Sequence, residues 1–154
     1  MLTPSDYTYF ADRALDGMAG IVRELGDERA NRRPGVPGAN SPYALLTHCL
    51  GVIEYWAGHL VAGRPAERDR AAEFTASGPV APLLDRTRAI QTTFAEDVRK
   101  ADPAAPPRAV PPAEFEGPGR VHTQGAVLQH VFEELAQHHG QMQVLRDVIL
   151  AEAA

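Results

Sequence analysis

Glu134 and His138 stand four residues apart in the run HVFEELAQHHGQMQVLRD, residues 130–147. On a helix that spacing sets both side chains on one face, one turn above the other. Val131, Leu135, Met142 and Leu145 share that face, so a carboxylate and an imidazole lie on or beside a stripe expected to face the core. Burying an unpaired carboxylate is costly, and a metal ion is one of the few partners that satisfies both groups at once. Two ligands from one helix need a third from elsewhere. His48, in LLTHCLGVIEYW, is the leading candidate, because it sits beside the apolar stripe of another segment. Three protein ligands leave one coordination position open for water or substrate, the pattern of a catalytic rather than a structural ion.

Each of these residues also has a plainer role open to it. A Glu/His pair at i, i+4 is common as an exposed electrostatic pair. A histidine near a core face is often simply hydrogen-bonded in place. The chain has 6 histidines, so some spacings arise by chance. His130, one turn before Glu134, competes for a ligand position. His139 projects roughly a quarter-turn away from His138 and fits a supporting or surface position, while His59 and His122 have no supporting pattern. Gln141, about one turn beyond His138, can hold a ligand or substrate group, or serve only as a hydrogen-bonded amide. Cys49 follows His48 directly, points elsewhere on a helix, and reads as a small buried hydrophobe.

The elements that must position these residues are helical. Tyr7, Phe10, Ala14, Met18, Ile21 and Leu25 recur at three- and four-residue spacing and predict a first amphipathic helix. Thr3, Pro4 and Asp6 form its start signal, and Gly26 is the expected stop. The stretch NRRPGVPGAN (31–40) cannot hold a helix. Ser41-Pro42 repeats the cap-plus-proline signal for a second helix, with Leu45, Cys49, Val52, Ile53, Trp56 and Leu60 on one side and Gly63-Arg64-Pro65 at its end. Residues 66–78 are polar and carry no clear period. A third helix is expected from about Pro79 to Asp102, with Leu83, Leu84, Ile90, Phe94 and Val98 inward. About twenty residues with six prolines follow, from Pro103 to Val121. Ordered connections of that length often form lids or site walls. The last helix is expected from Thr123 to Ala151, with Val127, Val131, Leu135, Met142, Leu145 and Ile149 as its stripe. Four amphipathic helices without competing strand patterns predict an all-α four-helix bundle, with residues 1–154 as one domain.

Composition narrows the function classes. The 154 residues are 44% hydrophobic and 23% charged, as in ordinary globular domains. The formal net charge of -5 argues against a nucleic-acid partner, which usually meets a basic stripe. No apolar run is long enough to span a bilayer, so no membrane partner is expected. MLTPSDYTYF lacks a basic start followed by an apolar stretch, so no secretory signal is expected. The single cysteine excludes an internal disulfide and fits a reducing, cytoplasmic setting. A small-molecule substrate is the expected partner, and pairing into a homodimer is a further expectation for a bundle of this size.

The chain resembles the DinB-like superfamily over essentially its whole length. The features that carry the resemblance are the Pro/Gly loop ending in Asn40-Ser41-Pro42, the HCLGVIEYW segment with His48, Glu54 and Trp56, the long third connection, and ELAQHHGQ from Glu134 to Gln141 with Leu145-Arg146-Asp147 beyond it. The resemblance implies a four-helix bundle in which a divalent metal is held by one histidine of the second helix and two residues of the fourth. These correspond to His48, Glu134 and His138, and the resemblance favours His48 over His130. Many members carry histidine at the Glu134 position. A glutamate there resembles the branch of mycothiol-dependent maleylpyruvate isomerase and related thiol S-transferases. That implies zinc first, with nickel, iron or manganese as alternatives, and a low-molecular-weight thiol such as mycothiol or bacillithiol activated as a metal thiolate for S-transfer or isomerisation. The alternatives are a non-catalytic metal- or small-molecule-binding bundle, or a paralogue with an inactive site.

Overall fold

The computed structural model describes residues 3–112 and 121–152. It is all-helical: α1 (Pro4–Ala30), α2 (Pro42–Val52) running on into a π-helical extension (Ile53–Val61), the short α3 (Arg70–Glu73), α4 (Val80–Lys100) and α5 (Gln124–Ala151). The four long segments form a bundle. α5 packs against α1, α2 and the extension, α4 packs against α1 and the extension, and α3 lies on α2. No helix among the described residues is long and apolar enough to cross a membrane.

Helix starts follow the local signals. Thr3 and Asp6 form a reciprocal capping box, Ser41 accepts from the Ala44 amide, and Thr123 accepts from the Ala126 amide. α4 has no side-chain cap of its own. Asp27 supplies one from α1, its Oδ1 accepting from the Val80 amide at 2.8 Å. Every apolar residue expected to face inward on α2 and its extension, α4 and α5 is buried, and all belong to one hydrophobic cluster.

Three expectations need correction. Gly26 does not end α1: it takes φ 69° and ψ 178°, interrupts the helix, and the chain then winds on to Ala30. Only a residue without Cβ adopts that angle cheaply. Phe10 is not a core residue. Ala11, Leu15, Met18 and Val22 occupy the middle of the inward face, whereas Phe10, roughly 110° from it, is 44% exposed and meets Tyr9 edge-on. The second helix is not α-helical throughout, because from Ile53 its turns widen and Ala62 donates to the Ala57 carbonyl five residues back. Such widened turns are rare and often found near functional sites. Gly58 lies within this segment, and a Cβ there would come within 2.3 Å of Arg64 Nη2. The same guanidinium nitrogen donates to Asp97 of α4 at 2.8 Å.

Residues 103–112 tie the far end of the extension to the start of α5. Arg108 donates from its amide to the Leu60 carbonyl and from Nε to the Val61 carbonyl, and the Gln124 amide donates to Ala105. None of residues 103–112 lines the cavity beside His48. The rest of the proline-rich segment, residues 113–120, lies outside the described residues.

Candidate metal centre

His48 comes from the second turn of α2, and Glu134 and His138 from successive turns of α5. Because α2 packs on α5, the three side chains meet. One donor atom from each lies within 4.8 Å of the others, the only such group of three or more His, Cys, Asp or Glu among the described residues. His48 Nε2 is 3.3 Å from Glu134 Oε2, and His138 Nε2 is 3.6 Å from the same oxygen. The two imidazoles meet edge to face, with centroids 5.0 Å apart. The His48 side chain is 3% exposed, His138 13% and Glu134 23%.

The remaining ring nitrogens are engaged. His48 Nδ1 lies 2.8 Å from Glu73 Oε2, and His138 Nδ1 lies 2.8 Å from Gln141 Oε1. A proton on His48 Nδ1, directed at Glu73, leaves the Nε2 lone pair facing a carboxylate oxygen. Two acceptors at that distance need a cation between them or a second proton on the ring. Donors bonded at about 2.0–2.2 Å around a tetrahedral ion stand roughly 3.3–3.6 Å apart, as do the 3.3 and 3.6 Å spacings from the two histidines to Glu134 Oε2. Two imidazoles and one carboxylate suit zinc and the neighbouring first-row metals. The residues present therefore fit a divalent ion.

The electrostatics agree with a site built for positive charge. Burial alone would push the His48 imidazole down, but hydrogen bonds to Glu134 and Glu73 outweigh it and hold its pKa above the ordinary histidine value. Hydrogen bonds from His138 and then His48 hold Glu134 well below the usual carboxylate range. Burial pushes Glu73 up, yet His48 and Arg68 together bring it below its usual value.

Glu73 is the residue that sequence reasoning missed. It lies in the polar stretch 66–78, which carries no period, and its contact with His48 is long-range. Asp69 before α3 is a local capping signal there, accepting from the Ala72 amide at 2.9 Å. The other histidines stand apart from the three. His130 packs edge-on against Trp56 at 4.7 Å and lies 3.5 Å from Glu133. His139 faces α1, where a Cβ on Gly17 would come within 2.2 Å of its Nε2. His59 Nδ1 lies 2.8 Å from the Arg64 carbonyl. Cys49 is fully buried, and burial, reinforced by the charges of Glu134 and Glu73, raises its thiol pKa far above the ordinary value. It remains a neutral core thiol.

A cavity of about 30 Å³ opens beside His48 and Glu134, lined also by Val52, Trp56, Arg68, Arg70 and His130. A larger cleft of about 350 Å³ shares Arg68 with it and is bounded by Thr47, Glu54, Tyr55, Glu73 and Arg86 among others. That volume is in the range of small-ligand sites.

The sequence model of the Mycothiol-S-transferase family matches residues 8–151 of the chain. No curated protein matches it.

Proposed function

Because the chain belongs to the Mycothiol-S-transferase family, we propose that it transfers a low-molecular-weight thiol of the mycothiol type to an electrophilic small molecule, using a divalent metal ion held by His48, Glu134 and His138. Zinc suits the two imidazoles and one carboxylate, with nickel, iron and manganese as alternatives. The observation that carries the reading is the convergence of one donor atom from each residue within 4.8 Å.

A bound divalent ion would supply the positive charge that favours a thiolate over a thiol near neutral pH. The protein's own contribution is orientation. His48 and His138 turn Nε2 towards Glu134 while their Nδ1 atoms engage Glu73 and Gln141. Glu134 contributes one negative charge, which makes the site less electron-withdrawing than three neutral histidines would be. Val52 and Trp56 give the adjoining cavity an apolar wall. Its volume accommodates a water-sized group, the size class of a sulfur atom. The thiol gives up its proton to solvent and its sulfur lone pair attacks an electrophilic carbon: an S–C bond forms, and either a leaving group departs with its bonding pair or the π pair of the attacked double bond moves to the adjacent atom and takes up a proton.

Untagged protein should carry near-stoichiometric metal by elemental analysis, and His138→Ala should lose it. Conjugation of mycothiol to an activated electrophile should stop with chelator and return when zinc is restored. Turnover that persists in chelator overturns the metal role. Metal-replete protein that turns over no electrophile indicates a binding bundle instead.

A further inference from the structure

We propose that Glu73 is the positioning residue for His48: clamped by Arg68, its carboxylate keeps the imidazole proton on Nδ1 and so presents the Nε2 lone pair to the position shared with Glu134 and His138. This inference rests on the metal reading above and concerns what sets the affinity of that site.

Nothing in helix geometry decides which nitrogen of a buried histidine carries its proton. The hydrogen bond made by the other nitrogen decides it. For His48 that partner is Glu73 Oε2, 2.8 Å from Nδ1. The next residue, Phe74, stacks on the same ring with centroids 4.4 Å apart and planes 28° from parallel. Segment 66–78 thus holds the imidazole by one edge and one face.

The carboxylate is itself immobilised. Arg68 donates from Nε to Glu73 Oε1 at 2.8 Å and from Nη2 to Oε2 at 3.0 Å. The Arg68 and Glu73 side chains are 5% and 9% exposed. A paired guanidinium fork of this kind fixes a carboxylate in one plane. The segment is tied down at its far end as well. Arg33 donates to the Phe74 carbonyl at 2.7 Å, and Asn31 exchanges hydrogen bonds with the Gly78 backbone at 2.8 and 3.0 Å. Glu73 does not compete for the ion, because it addresses the ring edge opposite Nε2. A carboxylate behind a ligating histidine fixes its tautomer and raises its basicity, and losing such a partner typically costs roughly 10- to 100-fold in metal affinity.

The test compares the full-length wild type with Glu73→Ala and Glu73→Gln. Zinc affinity is measured by competition with a chromogenic chelator. The His48 tautomer is read from long-range proton–nitrogen NMR spectra of the zinc-loaded protein. In the wild type we expect zinc on Nε2 and the proton on Nδ1. Glu73→Ala should weaken zinc by roughly 10- to 100-fold, and Glu73→Gln, whose amide oxygen can accept the same N–H, should lose less. A folded Glu73→Ala that binds zinc as tightly as the wild type overturns the proposal, as does zinc on His48 Nδ1. If Glu73→Ala does not fold, zinc affinity in Glu73→Gln decides: weaker binding than in the wild type supports the proposal, and binding as tight as in the wild type overturns it. A merely stabilising Glu73 would lower the melting temperature without moving zinc affinity or tautomer. A wild type that takes up no zinc overturns the metal reading itself, an outcome distinct from equal binding by wild type and variant.

Discussion

The Glu73 carboxylate lies against Gly51, in the space a side chain on α2 would fill. A Cβ at Gly51 would come within 2.0 Å of Glu73 Oε1 and 2.7 Å of its Cδ. The far end of a glutamate usually gives way to such a contact. Here it is held by Arg68 and by His48, so moving it breaks both. Gly51→Ala gains helix propensity of about 1 kcal/mol and meets an overpacking cost of about 1–3 kcal/mol. The expected outcome is a net loss of about 1 kcal/mol in urea unfolding, accompanied by weaker zinc binding. A variant more stable than wild type with unchanged zinc uptake would show that the carboxylate is not held there.

His130 and His138 flank Glu134 at one turn on either side, and only His138 stands within reach of the Glu134–His48 pair. His138→Ala should abolish stoichiometric metal, whereas His130→Ala should retain it, because His130 is engaged with Trp56 and Glu133. Metal content by elemental analysis separates the two. Loss of metal in both variants with the fold intact would return His130 to the ligand set.

Cys49 should behave as a core atom. It is fully buried with its pKa raised by burial, so a thiol reagent should label no cysteine in the folded protein and one after denaturation. Cys49→Ala should cost about 1 kcal/mol of stability for the lost sulfur contact and leave thiol transfer intact. Rapid labelling of native protein, or loss of transfer in folded Cys49→Ala, would contradict this.

Asp12 offers a pH test away from the site. Burial is the main cause that raises its pKa, the Gln91 amide at 3.4 Å opposes the shift, and Asp16 adds to it. As pH climbs through the ordinary aspartate value, the unfolded chain releases this proton before the folded one does. Stability therefore falls with rising pH until the folded-state pKa is passed, and the deficit is constant beyond it. Asp12→Asn removes this contribution and keeps an oxygen for Gln91. It should gain stability relative to wild type near neutrality and show no such gain in strong acid. Denaturation midpoints at both pH values check the sign.

Much of the fold was legible because its determinants are local. The caps at Thr3, Ser41 and Thr123 act within a turn of their own positions, and the apolar residues of α4 and α5 recur at the helical period. Local patterns failed where a residue at the edge of a stripe could face either way, as at Phe10, or where glycine allowed the chain to kink and continue, as at Gly26. The π-helical register from Ile53 has no period of its own in a segment buried on nearly every side.

That Glu134 and His138 share a face follows from local spacing, since four residues on a helix leave no other arrangement. The chain's likeness to a family pointed to His48 as their companion. Tertiary structure alone decided that α2 meets α5 at those residues. It also decided that a carboxylate from the patternless stretch 66–78 reaches His48 behind the site, held by Arg68 and admitted by Gly51. Spacing along one helix is set by backbone geometry over a few residues. The approach of Glu73 to His48 spans 25 positions and exists only once the helices have packed.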